Sequence, residues 1–217
     1  SASTQNIALN AVLYLYKEMV KSPLTGINST RAKKSKRLPV VLSKNEVFKL
    51  IDTQSGTPRL ILELLYGTGA RVNELVNLRI NDIDFDLKRI SIVNGKGAKD
   101  RFTLLPQSLE SKLKSHICQV KQLHSKDTAA GFGDTYLLNS GKKYKRIGKD
   151  PNWQFLFPSN KLFNDARTGN SGRWHIDSNT IGKIVFRSSH YANLTKRVTP
   201  HTLRHSFATH LLEDNVN

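Results

Sequence analysis

Apolar positions recur near the helical period along most of the chain, interrupted by short stretches of glycine, proline and charge. Within residues 1–20, Ile7, Leu9, Ala11, Val12, Leu15, Tyr16, Met19 and Val20 form such a stripe and predict a helix over 4–20. A single helix cannot bury that stripe by itself, so it docks on another domain or is the remnant of one. Residues 21–37 break the pattern with Pro23, Gly26 and the basic run Arg31, Lys33, Lys34, Lys36 and Arg37. This linker is either a strap that tracks a phosphate backbone or a solvated connector.

From residue 38 onward the pattern predicts one larger domain. Ser43 and Glu46 have the spacing of a capping box and open a helix through about Ile51. A second apolar helix over 58–66 stops at Gly67-Thr68-Gly69, and a third starts near Arg71 and carries Leu75, Leu78 and Ile80. Asn81-Asp82 then turns the chain into two β-rich runs, 89–94 and 101–105, which flank Gly95-Lys96-Gly97-Ala98-Lys99-Asp100 as a hairpin with a basic tip. Another helix follows Pro106 through about Leu123. Residues 129–177 show little periodicity, which is long for a plain loop and marks either a functional insertion or short elements hidden from the pattern. Helices return over 178–190 and from Thr199-Pro200 through Leu212. The fold class is therefore mainly α with a small antiparallel β-sheet (α+β).

Charge adds a partner to this picture. Lys and Arg number 34 against 17 Asp and Glu, for a formal net charge of +17. Such an imbalance opposes compaction by self-repulsion, and its usual use is to neutralise phosphates and release their counterions. A merely soluble basic protein is the bland alternative. A membrane fits poorly, because no apolar run approaches the roughly 20 residues of a spanning helix and the basic residues are scattered. The single cysteine, Cys118, and the lack of a signal-peptide pattern at the start suit a cytoplasmic location. No metal or other cofactor is expected. His116 and Cys118 are two apart on a predicted helix and face different ways, so with His124 they make no ligand set. No glycine run has the spacing of an NTP-binding loop.

Three segments carry candidate chemistry: Gly67 to Leu75, Gly95 to Arg101, and Thr199 to Thr209 with its His201-Thr202-Leu203-Arg204 core. Each is unremarkable alone. An arginine at a helix start is usually solvated, and Gly-Lys-Gly can be a plain turn. In this order and spacing, however, they closely resemble the tyrosine recombinase (phage-type integrase) family across about residues 38–217. The resemblance implies that family's catalytic-domain fold and roles for specific side chains. Arg71 and Arg204 become clamps on the non-bridging oxygens of a DNA phosphodiester, where charge grows in the transition state and guanidinium forks meet it. Lys96 becomes the general acid for the departing 5′ oxygen, and His201 the histidine that positions or deprotonates the nucleophile. Glu74, one turn after Arg71, orients the arginine. Lys99 and Arg101, beside Lys96, are candidate DNA contacts, as are Arg31, Lys33, Lys34 and Lys36 in the linker.

Closer resemblance is to an integron integrase. Ser3 to Tyr16 resembles the last helix of those enzymes' N-terminal core-binding domain, and 129–177 resembles their extra segment through Trp153 to Ser159, Asp165 to Gly169 and Arg173-Trp174-His175. That implies DNA attachment sites as partner, including folded single-stranded attC hairpins with extrahelical bases. Trp153, Phe155, Trp174 and His175 offer flat stacking surfaces for such bases. The alternative is that these aromatics make a small core for the insertion, with Phe155 and Phe157 the first candidates.

One part of the family pattern has no counterpart. Its nucleophilic tyrosine follows the His-x-x-Arg motif by some thirty residues, whereas Tyr14, Tyr16, Tyr66, Tyr136, Tyr144 and Tyr191 all precede His201. The expectation is a chain truncated at both ends: a fragment of a DNA-breaking-and-rejoining recombinase that does not cleave by itself. A DNA-binding module that acts without catalysis is the competing reading, and a tyrosine supplied in trans a third. Copies of the chain are expected to associate on DNA.

Overall fold

The computed structural model describes residues 1–24, 32, 38–93, 100–132, 147–164 and 171–214, and the chain divides into two units at Leu38/Pro39. In the first unit, helix α1 spans Ala2–Tyr14 with Ser1 as its cap, and a π-helical turn over Leu15–Met19 continues it where the sequence pattern predicts uninterrupted α-helix. The Asn6 amide pairs with the backbone N–H and C=O of Ala32, both at 3.0 Å.

The second unit holds the core. Helix α2 (Lys44–Asp52) opens with the predicted capping box: the Glu46 N–H donates to Ser43 Oγ and the Ser43 N–H to Glu46 Oε2. Helix α3 (Gly56–Thr68) is its centrepiece. Leu60, Ile61, Leu62, Leu64 and Leu65 are all buried, while Arg59 and Glu63 pair on the remaining face, so most of the helix lies inside the domain. Helix α4 is short, Val72–Val76. The apolar period continues through Leu78 and Ile80, but those residues leave the helix. Leu78 C=O accepts from the Leu156 N–H at 2.7 Å and the Ile80 N–H donates to Gln154 C=O at 3.0 Å. A partner far along the chain thus overrides local helical preference.

Strands β1 (Ile83–Asp84), β2 (Arg89–Ile92) and β3 (Arg101–Leu104) form an antiparallel sheet in that order, with Ile92 opposite Arg101 and Arg89 opposite Leu104. Ile90 and Ile92 point into the core. Helix α5 (Glu110–Ala129) runs past its predicted end at Leu123. Its inward face continues with His124 and Asp127, buried polar residues that an apolar pattern does not register, and each has a partner farther along the chain. His124 Nε2–H donates to Lys149 C=O at 3.0 Å, while Asp127 takes the Arg173 guanidinium at 2.6 and 2.8 Å.

The stretch expected to be irregular contains defined elements. Beyond two short 3₁₀ turns, Gln154, Phe155, Leu156 and Phe157 are buried, and Leu156 and Phe157 belong to the main core rather than to a separate core of an insertion. Strands β4 (Pro158–Asn164) and β5 (Ser171–His175) then pair as an antiparallel ribbon with a register shift between Pro158 and Leu162. Most of β4 is exposed, which erases the alternation by which a strand is recognised. Helices α6 (Ser178–Tyr191) and α7 (Pro200–Glu213), the latter capped by Thr199, complete the unit. Among the described residues the architecture is mostly helical with two small antiparallel sheets. No helix among the described residues is long and apolar enough to cross a membrane.

Candidate active site

The site begins where α3 ends. Gly69 adopts φ +57°, the left-handed conformation that closes a helix, and turns the chain toward Arg71. A methyl group on Gly69 would stand 2.3 Å from the Phe207 ring, so α7 passes against bare backbone. That proximity has a chemical result: the Gly69 C=O accepts from an Arg204 terminal nitrogen and holds that side chain in place.

Arg71 precedes the first turn of α4, and Glu74 reaches back to it. The Arg71 N–H donates to Glu74 Oε2 at 2.7 Å and its Nη1 to Oε1 at 2.6 Å. Arg101, the first residue of β3, donates Nη1 to Oε1 and Nη2 to Oε2, both at 2.9 Å. Arg204 approaches Oε2 to 3.9 Å, an ion pair beyond hydrogen-bond reach. The Glu74 side chain is 5% exposed, against 36% for Arg71 and 31% for Arg204. The carboxylate is therefore the floor of the cluster and the arginines its solvent-facing wall. Burial pushes the Glu74 carboxyl upward, but the hydrogen bonds from Arg101 and Arg71 outweigh it and hold it at about 2. Burial beside Arg71 also lowers the pKa of Arg204, although an arginine stays charged at any working pH.

His201 lies exposed in the first turn of α7, three residues before Arg204. It borders a groove of about 610 Å³ shared with Val72, Asn179, Lys183 and Phe186. Asn179 and Lys183 were not singled out from sequence, because they lie on an ordinary polar face of α6 and only the packing of α6 beside α4 and α7 brings them to His201. Lys96 and Lys99 lie outside the described residues, as do Arg31, Lys33, Lys34 and Lys36.

The aromatic candidates form a second cluster. Phe155 is buried, with its ring edge-on to Trp174 at 5.5 Å and to His175 at 5.2 Å between centroids. Trp174 and His175 are half-buried and lie 5.0 Å apart. The Arg79 guanidinium sits 4.3 Å over Phe155 and 5.9 Å from the Trp153 ring, and donates to the Trp153 C=O. Phe155 is thus closed to a stacking base, whereas Trp153, Trp174 and His175 retain exposed surface. His116 and His124, set aside as metal ligands from sequence, both donate to backbone carbonyls of the downstream segment.

The same fold recurs in known proteins. Residues 40–217 match the phage integrase family. The chain belongs to this family. An integrase/recombinase of Escherichia coli is 38% identical across 98% of this chain and 64% of its own length. The tyrosine recombinase XerA of Pyrococcus furiosus is 33% identical across 84% of this chain and 51% of its own. Among solved structures, a XerA recombinase superposes with a TM-score of 0.56 at 29% identity, covering the whole of this chain and 64% of that one. A XerH recombinase bound to its difH substrate in a pre-cleavage complex has a TM-score of 0.61 at 23% identity, covers the whole of this chain and 56% of that one, and speaks to the fold alone. The chain thus spans 64% or less of the curated relatives it matches.

Proposed function

We propose that this chain is the DNA-binding and phosphate-holding part of a site-specific tyrosine recombinase, with the scissile phosphate held between Arg71 and Arg204. The observation that carries this reading is the convergence of two arginines, one from the start of α4 and one from α7, over a single buried carboxylate that leaves them with surplus charge. As an oxygen nucleophile adds to phosphorus, the non-bridging oxygens gain negative charge, and fixed guanidinium donors stabilise it without reorganising. Lys96 protonates the 5′ oxygen as its bond to phosphorus breaks, and His201 positions or deprotonates the nucleophile. The N-terminal helix belongs to a core-binding domain. Copies assemble on the DNA.

Fluorescence anisotropy with a labelled duplex tests the binding. Affinity is expected to fall steeply between low and physiological salt, and Arg71→Ala and Arg204→Ala each to weaken it; a salt-independent affinity would sink the polyanion reading. A nicked attachment-site DNA separates phosphate holding, which leaves no SDS-stable adduct, from cleavage, which leaves one.

A finer reading, recombination of integron gene cassettes, draws support from Trp174 and His175, whose half-exposed rings stand side by side on β5. If extrahelical bases of a folded attC hairpin stack there, Trp174→Ala costs about 1–3 kcal/mol on the hairpin and nothing on a fully paired duplex. Equal losses on both would leave the general recombinase and remove the integron assignment.

A further inference from the structure

We propose that Arg101 is a positioning residue of the phosphate-holding cluster, which saturates Glu74 so that Arg71 and Arg204 keep free donors for phosphate. The inference rests on the phosphate-holding role proposed above and adds a member that role does not include. A carboxylate offers about four lone-pair sites. At Glu74 all four are occupied: Oε1 accepts from Arg71 Nη1 and Arg101 Nη1, and Oε2 from the Arg71 N–H and Arg101 Nη2. Arg204, 3.9 Å from Oε2, is thereby kept out of the carboxylate's hydrogen-bond shell and rests on the Gly69 C=O instead.

Removing Arg101 reopens one site on each oxygen. Arg204 is the nearest cation left to fill them, and an arginine drawn onto a buried carboxylate is withdrawn from solvent and from phosphate. The charge balance points the same way. Three guanidiniums around one carboxylate leave a surplus of two positive charges. A phosphodiester that gains a second negative charge on addition of a nucleophile is matched by that surplus, whereas two arginines and one carboxylate fall a charge short. Lysine cannot replace Arg101, since an ammonium is a point donor and does not fork across both oxygens. The backbone favours this task over a direct DNA contact. Arg101 is fixed in register opposite Ile92, and its neighbour Phe102 takes the exposed face of the sheet.

Side-chain ¹⁵N NMR of the whole chain, titrated with inorganic phosphate, tests the assignment. In the wild type the Arg71 and Arg204 Nε resonances are expected to move with phosphate while that of Arg101 stays still. Arg101→Lys retains the charge but not the fork, and should weaken phosphate binding at both arginines about tenfold, with the Arg204 resonance displaced before any phosphate is added. An Arg101 resonance that tracks phosphate alongside Arg71 would make it a ligand and overturn the proposal, as would wild-type affinity in Arg101→Lys. Should Arg101→Lys fold poorly, Glu74→Gln provides the second arm. Freed from its carboxylate, Arg101 should begin to respond to phosphate, and continued silence refutes the positioning role. If no arginine of the wild type responds, the phosphate-holding site itself fails, an outcome distinct from failure at Arg101 alone.

Discussion

Asp127 and Glu74 are both buried carboxylates that hold arginines, and they use them differently. Asp127 on α5 takes one guanidinium. Arg173 donates Nε and Nη2 to its two oxygens and Nη1 to the Ser159 C=O, so each of its nitrogens has a partner and the charges cancel. Both side chains are nearly closed to solvent, at 13% and 12% exposure. Glu74 gathers three arginines and cancels one charge among them, while Arg71 and Arg204 stay about a third exposed. A matched pair with a partner at every guanidinium nitrogen is a staple, here fastening the β4–β5 ribbon to α5. A surplus of cations over a saturated acid leaves positive charge facing solvent, which is what the proposed phosphate site requires. Composition does not distinguish the two, because both are arginine with carboxylate.

The contrast is most exposed to test at the staple. Asp127→Ala leaves the Arg173 charge buried without its partner and should lower the free energy of unfolding by about 3–5 kcal/mol in urea denaturation. DNA affinity of the folded fraction should not change. A loss below about 1 kcal/mol would class the pair with exposed surface bridges and erase the difference.

Glu74 provides the next largest effect through pH. Its carboxyl is held at about 2 in the folded chain, below the ordinary value of 4.5. In the window between them the unfolded state binds more protons, so the associated stability is complete above the ordinary value and is lost as pH falls toward 2. The size is on the order of 3 kcal/mol. Thermal denaturation between pH 5 and pH 2 (about one ordinary carboxylate titration and its depressed counterpart) should show a steeper decline in the wild type than in Glu74→Gln. Parallel curves would mean that Arg101 and Arg71 do not hold the acid.

Gly69→Ala joins stability to function. The positive φ and the 2.3 Å approach to Phe207 should together cost about 2–3 kcal/mol. Because the Gly69 C=O holds Arg204, DNA affinity should also fall, unlike in Asp127→Ala. Smallest is Arg79→Lys, which loses the planar stack on Phe155 and should cost about 1 kcal/mol by denaturation, with the β4–β5 ribbon retained.

Much of the candidate site was legible in the sequence. Arg71, Glu74, His201 and Arg204 stand out because short-range spacing places them at helix starts and on one helical face, and the turn at Gly69 is announced by its flanking glycine. Arg101 was legible only as a basic residue near a hairpin tip. Its reading as a DNA contact omitted Glu74, 27 residues upstream, to which its fork is bound. Asn179 and Lys183 gave no signal at all, since nothing local separates a groove-lining polar residue from a solvated one.

By itself the sequence determined the elements whose causes lie within one or two turns: the Ser43 and Thr199 caps, the apolar α3, the β2–β3 pairing and the family motifs. The tertiary structure decided what depends on distant partners. It took Leu78 and Ile80 out of a helix to pair with Gln154 and Leu156, extended α5 over the buried polar residues His124 and Asp127, and drew Phe157 into the main core. The physical reason is common to all of these. A backbone hydrogen bond or a buried ion pair is specified by the group at its other end, and local periodicity carries no information about a partner many residues away.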